Sequence, residues 1–118
     1  MREGQTEADV LVIDDDRDLR DTLAAVLRHE GYDVSCAENG AHALAMMHHT
    51  KPRAIVLDLA MPVMSGWELL DALHADDRLS GIPTLVLSSM RAPRGVMQLA
   101  KPVSLDELVT TVRQLCRH

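Results

Sequence analysis

Four polar clusters each follow directly on an apolar run, and together their residue types could do chemistry. Asp14-Asp15-Asp16 follows Val10 to Ile13, Asp58 follows Ile55 to Leu57, Ser88-Ser89 follows Leu85 to Leu87, and Lys101 follows Val96 to Ala100. A buried strand that stops at a carboxylate places it at the mouth of a sheet. Three carboxylates gathered there repel by roughly 4 kcal/mol per pair at ~4 Å and an effective dielectric constant of ~20. Either one keeps its proton or a cation neutralises them. All-oxygen ligation completed by water suits Mg2+. A metal beside Asp58 would offset the charge of an anion entering the site. Lys101 would add a positive point charge and Ser88 a hydroxyl donor.

The elements that must position these groups are legible as an alternation. Val10-Leu11-Val12-Ile13 has the length and continuous apolar character of a strand buried on both faces. Leu19, Leu23, Val26 and Leu27 then mark an amphipathic helix, with Asp16 as its N-cap and Gly31 as its stop. Residues 33–37 read as a second strand. Ala41, Leu44, Ala45 and His48 share a face of a short helix after Asn39-Gly40, closed by Pro52. Ala54 to Leu57 is the third strand. Ser65 and Glu68 make a capping box for a helix carrying Leu69, Leu70 and Leu73. Thr84 to Leu87 is the fourth strand and Val96 to Ala100 the fifth. A second capping box, Ser104 and Glu107, opens a helix lined by Leu105, Leu108, Val109, Val112 and Leu115. Strands alternating with helices imply a parallel sheet covered on both faces, whose ligands sit beyond the carboxyl ends of the strands. The four polar clusters belong at those ends.

Composition narrows the classes. The chain has 118 residues, which suits one domain. Its formal net charge of −6 argues against general nucleic-acid binding. There is no Phe, and with only Tyr32 and Trp67 aromatic the core must be aliphatic, with several of the seven Met as filler. Cys36 and Cys116 make neither a disulfide framework nor a zinc site. No stretch approaches the ~20 apolar residues of a membrane span, and the N-terminus lacks an apolar signal region, so a cytoplasmic domain is the expectation. Residues 1–8 are expected to form a flexible tail ahead of a domain over 9–118.

At these residues the chain resembles a response-regulator receiver domain. The motifs are Val12-Ile13-Asp14-Asp15, Leu57-Asp58-Leu59-Ala60-Met61-Pro62 with Ser65-Gly66, Leu87-Ser88-Ser89, and Lys101-Pro102. Each is weak alone, but four in order at strand ends are specific. The resemblance spans about residues 9–117. It implies a flavodoxin-like, doubly wound, five-stranded parallel sheet in order 2-1-3-4-5. It implies that Asp58 accepts a phosphoryl group from a histidine kinase or phosphotransfer protein, with output through a downstream protein partner and no separate substrate turnover. By match, Asp15 binds Mg2+ directly and Asp14 through water, Asp58 and the Ala60 carbonyl complete the protein ligands, Ser88 is the switch hydroxyl, and Lys101 faces the phosphate.

The sequence departs from that family in three places. Only twelve residues separate Ser88 from Lys101, where receivers usually have about twenty, so the family's fourth helix is expected to be missing and the crossover to be extended. Such a face, left open, is expected to find a partner, a second copy of the chain being one candidate. Gln98 stands where an aromatic is usual, and Val103 follows Lys101-Pro102 where another is common. All three lie on the output side.

Simpler readings compete. Asp14 and Asp15 could be a solvated loop, Asp58 a strand terminator, Ser88 a turn residue and Lys101 a surface lysine. Asp16 and Ser89 fit a cap and a turn. The six His read as solvent-facing rather than as metal ligands, and Trp67 as packing rather than recognition. A module that kept the fold but signals without phosphate is the main alternative function. A phosphohydrolase is disfavoured, because its common D-x-D signature would need an Asp in place of Ala60.

Overall fold

The apolar runs that end in polar clusters form the strands of one sheet. The computed structural model describes residues 9–61, 63–89, 91 and 95–116. Its elements are β1 (Val10–Ile13), α1 (Arg17–His29), β2 (Val34–Ala37), α2 (Gly40–Met47), β3 (Ala54–Asp58), α3 (Gly66–Ala75), β4 (Thr84–Ser88), β5 (Met97–Ala100) and α4 (Leu105–Cys116). The five strands lie in order β2-β1-β3-β4-β5, and every neighbouring pair is parallel. The expected tail at residues 1–8 lies outside the described residues, as do Pro62, Met90, Pro93 and His118.

Alternation along the strands divides the core in two. Leu11, Ile13, Ile55, Leu57 and Val86 point to one face and pack with Ala43 and Met47 of α2 and Leu69, Leu70 and Leu73 of α3. Val10, Val12, Val56, Leu85 and Leu87 point to the other and meet Leu23 and Leu27 of α1 and Leu108 and Val112 of α4. β1 and β3 are buried throughout, as continuous apolar runs in a two-sided sheet should be.

The caps set where the helices begin. The Asp16 carboxylate accepts from the Leu19 amide, and Ser65 and Glu68 form the full reciprocal capping box. The Ser104 hydroxyl accepts from the Glu107 amide. Gly31 has φ +98°, which ends the turn after α1 at no steric cost.

Two local readings are corrected. The buried face of α2 is Gly40, Ala43 and Met47, with Leu44 half-buried, while Ala41, Ala45 and His48 are exposed. Gly40, Ala43, Leu44 and Met47 stand at i, i+3, i+4 and i+7, so the helical period holds but the face is turned by one residue. Trp67 is 39 % exposed and so is not core packing. The five described His are all exposed, and both thiols are free.

The β4–β5 connection is short, and none of its described residues is helical. The family's fourth helix thus has no counterpart among the described residues, and the C-terminal helix is α4. β5 nevertheless keeps its register, with Val86 opposite Gln98 and Ser88 opposite Ala100. The Ser88 carbonyl accepts from the Lys101 amide at 3.3 Å and from the Gln98 side-chain amide at 3.4 Å. Val103 is half-buried against the α1–α4 core.

One residue in the β3–α3 loop is strained. Val63 has φ +70° and is 81 % exposed. A β-branched residue there loses about 1–2 kcal/mol to the left-handed conformation and gains nothing from packing. Val63→Gly should raise the unfolding free energy by about 0.5–1 kcal/mol in urea titration, part of the relief being lost to glycine's unfolded-state entropy. Val63→Ala, which keeps the strain, should change little.

Candidate functional site

Each carboxylate of the site is placed by the end of a strand. β1 delivers Asp14, which is 1 % exposed, and β3 delivers Asp58, 5 % exposed. Asp15, one residue further, is exposed. One carboxylate oxygen from each of the three lies within 4.8 Å of the others. β4 ends on Ser88, which is buried, and Lys101 directly follows β5 with its peptide to Pro102 cis. Asp14, Asp15, Asp16, Asp58, Ala60, Ser88, Ser89 and Lys101 line one open cleft of about 420 Å³. Every residue singled out for the site from the sequence therefore reaches the same cleft.

The lysine bridges the acids. Its Nζ stands 3.3 Å from Asp58 Oδ1 and 3.8 Å from Asp14 Oδ2. Backbone amides hold the other carboxylate contacts: Ala60 N–H donates to Asp58 Oδ1 at 3.2 Å, and Asp16 N–H to Asp14 Oδ1 at 2.9 Å. α3 closes the floor, because the Gly66 amide donates to the Leu59 carbonyl at 2.8 Å.

Charge in the cleft is only partly balanced. Burial, the largest cause, pushes the Asp14 carboxyl up from 3.8 to about 6, with the Asp58 and Asp15 charges adding to it. The Asp16 amide and Lys101 pull the other way but do not prevail. Asp14 Oδ2 is buried without a hydrogen-bond partner. A buried acceptor left in this state costs roughly 1–3 kcal/mol. A dication satisfies both features, since it supplies an electrophile for that oxygen and neutralises the trio. The donors are all oxygen and the cleft leaves room for water, which fits Mg2+ rather than a softer metal.

Some contributors carry no site signal in the sequence. The Ala60 and Asp16 amides act through backbone geometry, which no side-chain motif records. The Arg20 guanidinium donates to the Asp14 carbonyl at 2.8 Å. Its one signal in the sequence is a cation in the first turn of a helix, where the macrodipole disfavours it.

Comparisons with known proteins bear on the chain as a whole. The family model for the response regulator receiver domain matches residues 10–113. The transcriptional regulatory protein PrrA of Mycobacterium leprae is 39 % identical over 127 residues, covering all of this chain and 54 % of that protein. The chain thus spans about half the length of the curated relatives it matches first. The aligned stretch is nine residues longer than the chain's 118, so that relative carries residues this chain lacks. The signal receiver domain of a histidine kinase from Syntrophus aciditrophicus superposes with a TM-score of 0.86 at 26 % identity, covering 93 % of this chain and 90 % of that one. The chemotaxis response regulator CheY4 of Vibrio cholerae gives a TM-score of 0.83 at 29 % identity, over 93 % and 99 % of the two chains. Receiver domains are signalling modules that work with histidine kinases and downstream effectors, and they bind Mg2+ at an acidic pocket. By its sequence from residue 10 to 113 and by its fold, this chain belongs to the response regulator receiver domains.

Proposed function

We propose that this domain accepts a phosphoryl group on Asp58 from a histidine kinase or phosphotransfer protein and passes the signal on through contact with another protein. The observation that carries the reading is the Asp58 carboxylate in an open acidic cleft with Lys101 Nζ 3.3 Å away. Asp58 Oδ1 is held by Lys101 and by the Ala60 amide, which leaves Oδ2 as the attacking oxygen. An O–P bond forms there as the donor's P–N bond breaks, and the bonding pair returns to the imidazole. Lys101 and the Ser88 hydroxyl then face the new phosphoryl oxygens. Asp14, Asp15, Asp58 and the Ala60 carbonyl are the groups that would hold Mg2+, whose charge offsets that of the incoming phosphoryl group.

The output lies with the rest of the molecule. The crossover is short, and a groove of about 220 Å³ of mixed lining, with Leu70, Leu73 and Val96 beside His74, Ser80 and Thr84, remains beside α3. In this reading the groove is part of a weak homodimer face. Light scattering across a concentration series should show mass rising toward a dimer, with and without phosphodonor. A monomer at every concentration removes the dimer.

The function is tested by incubating the protein with acetyl phosphate and Mg2+ and weighing it intact. A single phosphoryl adduct is expected, dependent on Mg2+ and absent in Asp58→Ala. No adduct together with no Mg2+ binding would favour a phosphate-independent interaction module, the reading to which the short crossover and Gln98 lend support.

A further inference from the structure

Arg20 has no part in the chemistry described so far, yet its side chain is directed at the site. It lies four positions into α1, at the positive end of the helix dipole, where a cation is disfavoured by about 0.3–1 kcal/mol. Its half-buried guanidinium turns back past the start of the helix, and Nη1 donates to the Asp14 carbonyl at 2.8 Å. The Asp14 amide is already tied to the Ala37 carbonyl at 3.2 Å, and Asp14 Oδ1 to the Asp16 amide at 2.9 Å. The turn between β1 and α1 is thus fastened at three points, and at one of them the donor is the Arg20 side chain. Asp15, the next residue along that turn, is exposed.

We propose that Arg20 is a positioning residue of the acidic pocket: by holding the Asp14 carbonyl it fixes the turn that aims the Asp14 and Asp15 carboxylates at Asp58. The inference rests on the reading of that pocket as a metal site. Its action is geometric and opposes its own charge. Coulomb repulsion alone says that deleting a cation bonded to the Asp14 carbonyl strengthens binding of a dication in the pocket. Loss of the clamp says the opposite, because outer contacts that orient metal ligands are typically worth tenfold or more in affinity. The sign of the change therefore separates the two effects.

The test is calorimetric titration of Mg2+ into the folded protein, its Arg20→Ala variant and an Arg17→Ala control, below the onset of thermal unfolding. Arg17 occupies the same helical turn, but it is 84 % exposed and pairs with Asp21 at 3.8 Å. Arg20→Ala is expected to weaken Mg2+ about tenfold, and Arg17→Ala to leave it within about twofold. Unchanged or tighter binding in Arg20→Ala overturns the proposal. Amide hydrogen exchange without metal gives an independent readout. The Asp16 amide should exchange about tenfold faster in Arg20→Ala than in Arg17→Ala once global stability is matched, and equal rates overturn the clamp. If no variant, and not the parent protein either, binds Mg2+ while the Asp16 amide accelerates only in Arg20→Ala, the metal reading fails and the clamp stands. Should Arg20→Ala not fold, Arg20→Gln replaces it under the same outcomes.

Discussion

Gly66→Ala should lower the unfolding free energy by about 2 kcal/mol, although alanine is the better helix former. A Cβ at this position would lie 2.5 Å from the Asp58 carbonyl oxygen and 2.5 Å from Leu59 Cα. Both are backbone atoms, so no rotamer change relieves the clash. Overpacking of this kind costs typically 1–3 kcal/mol and occasionally more, against about 1 kcal/mol that alanine gains inside a helix. The damage is also functional, because the Gly66 amide bonds to the Leu59 carbonyl and so docks α3 beside Asp58. Gly81→Ala is the matched control: nothing lies within 4 Å of its added Cβ. Urea titration should show a loss for Gly66→Ala and a change within about 0.5 kcal/mol for Gly81→Ala. Equal stability of the two variants would mean that α3 does not pack on the β3 terminus as described.

Asp14→Asn should stabilise the metal-free protein at pH 7 by about 2–3 kcal/mol while removing most of its Mg2+ affinity. The Asp14 carboxyl is held at about 6 in the folded chain against an ordinary value of 3.8, burial being the main cause. The folded state thus keeps its proton over a range where the unfolded state has lost it. The favourable contribution of that proton is complete below about pH 3.8 and is lost as pH rises to about 6. Above that the ionised group is a net cost, at roughly 1.4 kcal/mol for each pH unit that separates the two values. Asparagine keeps the shape and can accept the Asp16 amide, but it carries no charge. Its advantage should therefore vanish near pH 4 in the presence of a chelator. With Mg2+ at about a hundredfold over its dissociation constant, the parent protein gains about 2.7 kcal/mol, which cancels the advantage, and higher Mg2+ reverses the order of the two proteins. An advantage for Asp14→Asn that is constant from pH 4 to 7 would contradict the raised carboxyl.

What can be read from the chain is what depends on local pattern. Val10 to Ile13 and Ile55 to Leu57 are continuous apolar runs, and only a two-sided sheet buries both faces of such a run. Asp16, Ser65 and Ser104 announce helix starts by bonding their own next turn, so the caps are legible. The gathering of Asp14, Asp15, Asp58, Ser88 and Lys101 follows from topology, because parallel strands put all their carboxyl ends on one side.

What is not legible depends on contacts between segments distant in sequence. The close approach of Gly66 to Asp58 is a tertiary fact that a glycine after a serine does not express. Helical spacing fits Ala41, Leu44, Ala45 and His48 as the buried face of α2, but it fits Gly40, Ala43, Leu44 and Met47 equally well, and only the packing against the sheet selects the second set. Trp67 reads as packing in the sequence and stands 39 % exposed in the fold. The orphaned Asp14 oxygen and the Arg20 bond to the Asp14 carbonyl exist only once β1 and α1 have a shared geometry.

Whether Asp58 is the phosphoryl acceptor is decided by locating the modified residue. The protein is treated with acetyl phosphate and Mg2+, digested under mildly acidic conditions and mapped by mass spectrometry. The adduct should fall on the peptide containing Asp58 and disappear when a chelator is present during the reaction. No adduct, or one that persists undiminished in Asp58→Ala, would show that Asp58 is not the acceptor.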